Sequence, residues 1–256
     1  MPKKKLGQNF LSDPFVLGRI IEAADLTPDD TVIEIGPGPG SLTKLLAENV
    51  KRLIAIELDH DLCVKLLPKL SAFRNVELIE GDALKYSYND VGRFKVVANI
   101  PYYITTPLIF RLLEEKENLG SITLTIQKEV AERIVAGPGG KDYGVLSIMV
   151  QYYSIPQLKF IVPKELFWPV PKVDSAVVHI TLRKTPAVEV KDEEFFFKVI
   201  RTAFSQRRKT LSNSLKPFGP AVKEVLEIAA VDPVRRPETL SISEFAQIAD
   251  LLVEKQ

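Results

Sequence analysis

Cysteine occurs once in this 256-residue chain, at Cys63, and histidine twice, at His60 and His179. One cysteine excludes an internal disulfide and leaves no set of thiolates for a metal site. Two histidines give a histidine-ligated metal centre or a Ser-His triad little to be built from, so no metal is expected and any catalysis must manage with little acid-base machinery. No apolar run approaches the roughly 20 residues of a membrane span, and the N-terminus carries no apolar signal-peptide core. No membrane partner is expected, and the expected compartment is the cytoplasm. Net charge is also nearly absent, at +1.

That small net charge conceals segregation along the chain. Lys3, Lys4 and Lys5 stand near the N-terminus without an acid among them, and Lys198, Arg201, Arg207, Arg208 and Lys209 form a second run, also free of acids. Sequence-independent affinity for nucleic acid comes mainly from phosphate contacts, so these two local stripes mark RNA-binding candidates even at neutral overall charge.

The apolar fraction, 46% against 26% charged, suits a globular chain with a proper core. Strands are expected at 31–35, 52–57, 76–80, 95–98 and 121–126, and helices at 14–24, 41–48, 60–69, 106–117 and 128–136. Such alternation implies a parallel sheet covered on both faces. A helix through Leu146, Ile148 and Met149 leads to two consecutive strands near 158–162 and 175–182, read as an antiparallel terminal hairpin on the parallel sheet. Thr185-Pro186 breaks the pattern, and every later apolar period is helical. The expected division is a Rossmann-like α/β domain over 1–185 and a small helical domain over 190–256.

The densest signal is Thr31 to Thr43, TVIEIGPGPGSLT. A short apolar strand ends in Gly36, Gly38 and Gly40, and a helix follows with Ser41 as its expected N-cap. Glycine there reaches positive φ and lets a ligand approach bare backbone. The spacing is not the G-x-G-x-x-G of dinucleotide sites, and Pro37 and Pro39 remove N–H donors that a pyrophosphate needs. With Glu34 adding negative charge, the turn suits a cationic ligand without phosphates, and S-adenosylmethionine fits that description.

In this class of fold, ligands sit at the carboxyl ends of the strands. Gly36, Glu57, Asp82 and Asn99 occupy those ends in order: Glu57 is placed to accept ribose hydroxyls and Asp82 an adenine amino group. Asn99-Ile100-Pro101-Tyr102 suits methylation of an exocyclic amine on a base. The Asn99 oxygen accepts from that amine as its nitrogen becomes tetrahedral, Pro101 fixes the backbone, and Tyr102 offers a ring for an extruded base.

Leu6-Gly7-Gln8-Asn9-Phe10-Leu11, Glu34 to Gly40, Glu57-Leu58-Asp59, Glu80 to Leu84, Asn99 to Pro107, Phe167 to Ser175 and Phe204 to Leu211 together resemble the ribosomal RNA adenine dimethyltransferases, across nearly the whole chain and in that family's order. The resemblance implies a class I methyltransferase fold, S-adenosylmethionine as methyl donor with S-adenosylhomocysteine as product, and a monomer. Its implied substrate is two neighbouring adenosines of 16S rRNA within a small-subunit precursor. It also implies that Asn9 and Leu11 lie over the cofactor, that Gly36 meets its amino-acid end with Gly38 and Asn99 also in the cofactor site, and that Phe167 sandwiches the target base against Tyr102. Val145 departs from the pattern, standing where the family favours arginine. Two rival readings are a methyltransferase of large-subunit rRNA and a non-catalytic RNA-binding assembly or transcription factor on the same fold.

Overall fold

The structure is a computed structural model that describes residues 7–206 and 208–255. It divides into two compact units: residues up to Ala131 with Ile155–Leu182, and Glu132–Ser154 with residues from Arg183 onward.

The first unit opens with β1 (Phe10–Leu11) and α1 (Pro14–Ala23), the latter capped by the Asp13 carboxylate on the Val16 N–H at 2.9 Å. Then come β2 (Thr31–Ile35), α2 (Ser41–Asn49), β3 (Arg52–Glu57), α3 (His60–Leu70), β4 (Val76–Glu80), β5 (Phe94–Asn99), α4 (Thr105–Leu113), β6 (Leu119–Gln127) and α5 (Lys128–Val135), whose residues from Glu132 belong to the second unit. After α6 (Val145–Tyr153) the chain returns as β7 (Ser154–Val162), β8 (Phe167–Trp168) and β9 (Ser175–Leu182).

Seven strands form one sheet in the order β4-β3-β2-β5-β6-β9-β7, and β1 pairs with β8 in a separate two-stranded ribbon. β2 runs parallel to both β3 and β5, and β9 runs antiparallel to β6. The chain therefore leaves β2 toward β3 and β4 on one side and resumes with β5 on the other, which makes the gap between the ends of β2 and β5 the topological switch point. Val32, Ile33, Val96, Val97 and Ile122 are fully buried, as strands covered on both faces require. The expected strands and helices are present within a few residues, with β7 starting at Ser154 rather than 158 and α4 ending at Leu113 because β6 already begins at Leu119. Nothing in the residue pattern anticipated the β1–β8 ribbon, since two-residue strands carry no periodicity.

The second unit contains α6, α7 (Glu193–Phe204), α8 (Leu211–Ser214), α9 (Val222–Ile228) and α10 (Ile242–Val253). Asp192 caps α7 on the Phe195 N–H, and a Ser241–Glu244 capping box starts α10. Tyr143, Ile148 and Tyr152 share one core with Phe196, Phe197 and Phe245. That core draws α6 into the helical unit, so the expected run of the first domain to 185 is interrupted by Glu132–Ser154. Val145 begins α6 and packs, half-buried, against the same core. Among the described residues no helix is long and apolar enough to cross a membrane.

The N-cap of α2 is Gly40 at φ 90°, not Ser41. A Cβ on Gly40 would lie 2.4 Å from the Leu66 Cδ1 and sit on left-handed backbone. Gly40→Ala should therefore cost about 1–3 kcal/mol, read from the midpoint of urea unfolding. An unchanged midpoint would show that the turn relaxes without loss.

Candidate active site

At the switch point a cleft opens in the first unit, lined by Gln8 to Leu11, Glu34 to Pro39, Glu57, Gly81 to Leu84, Asn99 and Pro101. Open at its mouth, it encloses a cavity of about 180 Å³.

Its wall is the glycine turn. Gly36 and Gly38 adopt φ of 68° and 56°, and a Cβ on Gly38 would come within 3.0 Å of the Phe10 ring. Glu57, 5% exposed at the end of β3, accepts the Gly38 N–H at 3.1 Å and the Asp59 N–H at 2.9 Å, one on each carboxylate oxygen. Burial pushes its carboxyl above the usual range, while those two backbone donors pull the other way. Asp59 in turn accepts the Gln8 side-chain amide at 3.1 Å, which fastens the N-terminal segment over the cleft. Asp82 is half-buried, with Oδ1 accepting the Leu84 N–H at 3.0 Å. This is the turn-forming role expected of an acid after a strand, and it places the rest of the carboxylate at the cleft.

Asn99 ends β5 with its Nδ2 donating to the Asn9 carbonyl at 3.0 Å. That bond sets which way the amide faces and keeps Oδ1 as the acceptor end. Asn9 also donates from Nδ2 to the Gly7 carbonyl at 3.3 Å, and Leu11 is 4% exposed beneath the cleft. Tyr102 is half-buried and its hydroxyl bonds the Ser175 hydroxyl at 2.8 Å. Neither the Asn9 nor the Ser175 contact had a signal in residue spacing.

Phe167 does not take the expected position. It is 2% exposed and packs in the core with Leu11, Leu17 and Val97. In this structure its ring is buried against those residues and does not line the cleft. Pairing in the ribbon sets Phe167 opposite Leu11, which turns it inward and its neighbour Trp168 outward.

The basic stripe also changes form. Lys198 and Arg201 are exposed on α7, but the helix ends at Phe204, so Arg208 and Lys209 lie in the turn before α8. Among the described residues neither Arg208 nor Lys209 has an ion-pair partner, and Glu224 is taken by Lys255 at 2.7 Å. Lys3, Lys4, Lys5 and Arg207 lie outside the described residues.

A parallel sheet with a glycine turn at its switch point and acids at successive strand ends defines a Rossmann-like methyltransferase of class I. Solved structures agree: the 23S rRNA methyltransferase ErmE matches with a TM-score of 0.78 at 29% identity, covering 96% of this chain and all of that one. A dimethyladenosine transferase from Plasmodium falciparum matches with a TM-score of 0.82 at 28% identity, covering 93% and 95%. The family described as "Ribosomal RNA adenine dimethylase" matches residues 2–254, and the chain belongs to it. Relatives named "Ribosomal RNA small subunit methyltransferase A" include those of Pelotomaculum thermopropionicum, 47% identical over 99% of this chain and 92% of the relative, and Clostridium botulinum, 48% identical over 98% and 94%.

Glu34 was noted in the sequence only as a charge. It is 1% exposed in the cleft wall, and its Oε2 has no hydrogen-bond partner among the described residues. Burial pushes its carboxyl up to about 8, with Glu57 adding to the rise and Thr43 opposing it. The folded state then holds a proton that the unfolded chain gives up near 4.5. Between those values the folded state binds more protons, so stability from this group falls as pH rises and levels off above about 8. Glu34→Gln should remove that slope: relative to wild type it gains on the order of a few kcal/mol at most between pH 5 and pH 8.5. Parallel denaturation curves across this range check it, and a constant difference would mean that Glu34 is ionised throughout.

Proposed function

We propose that the protein transfers methyl groups from S-adenosylmethionine to N6 of two adjacent adenosines in a 16S rRNA hairpin, within a small-subunit precursor, as a cytoplasmic monomer. The observation that carries this reading is Asn99, fixed at the switch point with its Oδ1 left as an acceptor by the bond from Nδ2 to Asn9. The cleft fits the methyl donor: glycines bring bare backbone to its wall, and the unpartnered buried Glu34 oxygen suits a cationic amino-acid end. Gly36 and Gly38 would meet that end, Glu57 the ribose, Asp82 the adenine, and Asn9 and Leu11 would cover the ligand. When bound, S-adenosylmethionine supplies an electrophilic methyl on a sulfonium and leaves as S-adenosylhomocysteine.

The chain's own residues supply position and polarity. Asn99 Oδ1 accepts a hydrogen bond from the target amine and draws its lone pair out of ring conjugation as the nitrogen becomes tetrahedral. Pro101 fixes the backbone of the tetrapeptide, with its carbonyl accepting the Ile104 N–H at 3.2 Å. Tyr102, held by Ser175, supports the extruded base. Orientation within the cleft contributes most of the remaining advantage.

The small-subunit target is supported by relatives at 47–48% identity whose names state it, against 29% for ErmE. Incubation with labelled cofactor and each ribosomal subunit, followed by mass mapping, should find two adjacent dimethylated adenosines in 16S rRNA. Label confined to the large subunit would overturn this.

Asn99→Ala should lower single-turnover rate by roughly 10²-fold with little change in cofactor affinity, whereas Glu57→Ala should weaken cofactor binding by about 1.5–3 kcal/mol. Calorimetry and rapid-quench rates on both variants decide it: swapped effects would exchange the two roles. In the second unit, Arg208→Ala with Lys209→Ala should reduce subunit affinity and flatten its salt dependence by up to about two phosphate equivalents, leaving cofactor binding intact. An unchanged slope in binding titrations would place the RNA contacts elsewhere.

A further inference from the structure

Trp168 is the single tryptophan of the chain and is 62% exposed, although its neighbour Phe167 is buried to 2%. With the exposed Pro169 and Val170 (58%) it forms an apolar tip on the segment between β7 and β9. Apolar residues clustered at the surface in this way form a candidate contact surface.

The tip is held firmly at both ends. On one side Trp168 pairs with Phe10, whose ring lies against the Gly38 turn of the cleft. On the other, Asp174 closes the segment: its Oδ1 accepts the Lys164 N–H at 3.1 Å and its carbonyl accepts the Lys128 N–H at 3.0 Å. The next residue, Ser175, carries the hydrogen bond to Tyr102. A large aromatic surface is therefore tied through Phe10 to the cleft wall and through the Asp174–Ser175 end of its segment to Tyr102, yet lies outside the lining of the cleft itself.

The charges at its base nearly cancel. Lys128, Lys164 and Lys172 line the hollow there together with Glu129, Glu165 and Asp174. A balanced field gives phosphates little grip, whereas an aromatic face takes any base by stacking. We propose that Trp168 is a stacking platform for an unpaired nucleobase of the rRNA adjoining the target adenosine, and so a positioning residue for substrate. This rests on the functional reading above. The base stacked there is a neighbour and not the reacting one, because Trp168 does not face the cleft that holds Asn99.

Being unique, Trp168 reports on itself. Titration with a protein-free 16S hairpin RNA should quench the intrinsic tryptophan fluorescence. With small-subunit particles, Trp168→Ala should raise KM for the particle roughly ten-fold while kcat and cofactor affinity hold. Trp168→Phe should recover most of this, and Trp168→Leu, which keeps apolar area without a π face, should not. The salt dependence of particle binding should be unchanged in Trp168→Ala, unlike that of the Arg208 and Lys209 variant. Unquenched fluorescence at saturating RNA, a wild-type KM in Trp168→Ala, or full rescue by Trp168→Leu would each overturn the platform while wild-type methylation stands. Failure of the wild-type protein to methylate small-subunit rRNA would instead overturn the functional reading, and the platform with it.

Discussion

One buried carboxylate ties the cleft together. Glu57 reaches from the end of β3 to the Gly38 N–H of the glycine turn and to the Asp59 N–H that begins α3. Asp59 then holds Gln8, and the segment that follows Gln8 supplies the carbonyl that orients Asn99. The turn, the end of β3, the N-terminal segment and the end of β5 thus share one connected path. Satisfying a buried acid with backbone donors is what makes its burial tolerable.

A second acid lies close by without equivalent partners. Glu34 and Glu57 both line the cleft, and Glu57 raises the difficulty of ionising Glu34 while burial already opposes charge on it. Such a pair is poised toward a cation, whose arrival would relieve what the folded chain alone leaves unsatisfied. A positively charged ligand, as in the proposed function, would meet this acidic wall, set by β2 and β3, before any contact from the N-terminal segment. The two prolines of the turn act in the same sense by withholding N–H donors from an anion.

The aromatic residues around the site divide by pairing. In the β1–β8 ribbon, register alone assigns Phe167 to the core and Trp168 to solvent, because alternate residues of a strand face opposite ways. Tyr102 is fixed by a hydroxyl bond to Ser175 and does not line the cleft, whereas Tyr103, 57% exposed over Gly7, does. The same economy appears in the helical unit, where Tyr143, Tyr152 and the Phe195–Phe197 run are spent on a core, leaving Lys198, Arg201, Arg208 and Lys209 on its exterior.

Sequence alone determined the elements and the series of strand-end residues, because strand and helix periods are local properties and because glycine and proline restrict the backbone by themselves. It placed Gly36, Glu57, Asp82 and Asn99 at successive strand ends, and the observed sheet brings all four to one cleft. What it left open depended on partners distant along the chain. The ribbon joins residues about 157 apart, from Phe10↔Trp168 to Leu11↔Phe167, and it decided that Phe167 turns inward and Trp168 outward. The core around Phe196 and Phe245 decided that α6 leaves the first unit. Burial, likewise, is a property of everything packed around a group: only the tertiary structure turned Glu34 from a charge in a motif into an acid whose proton the fold itself holds.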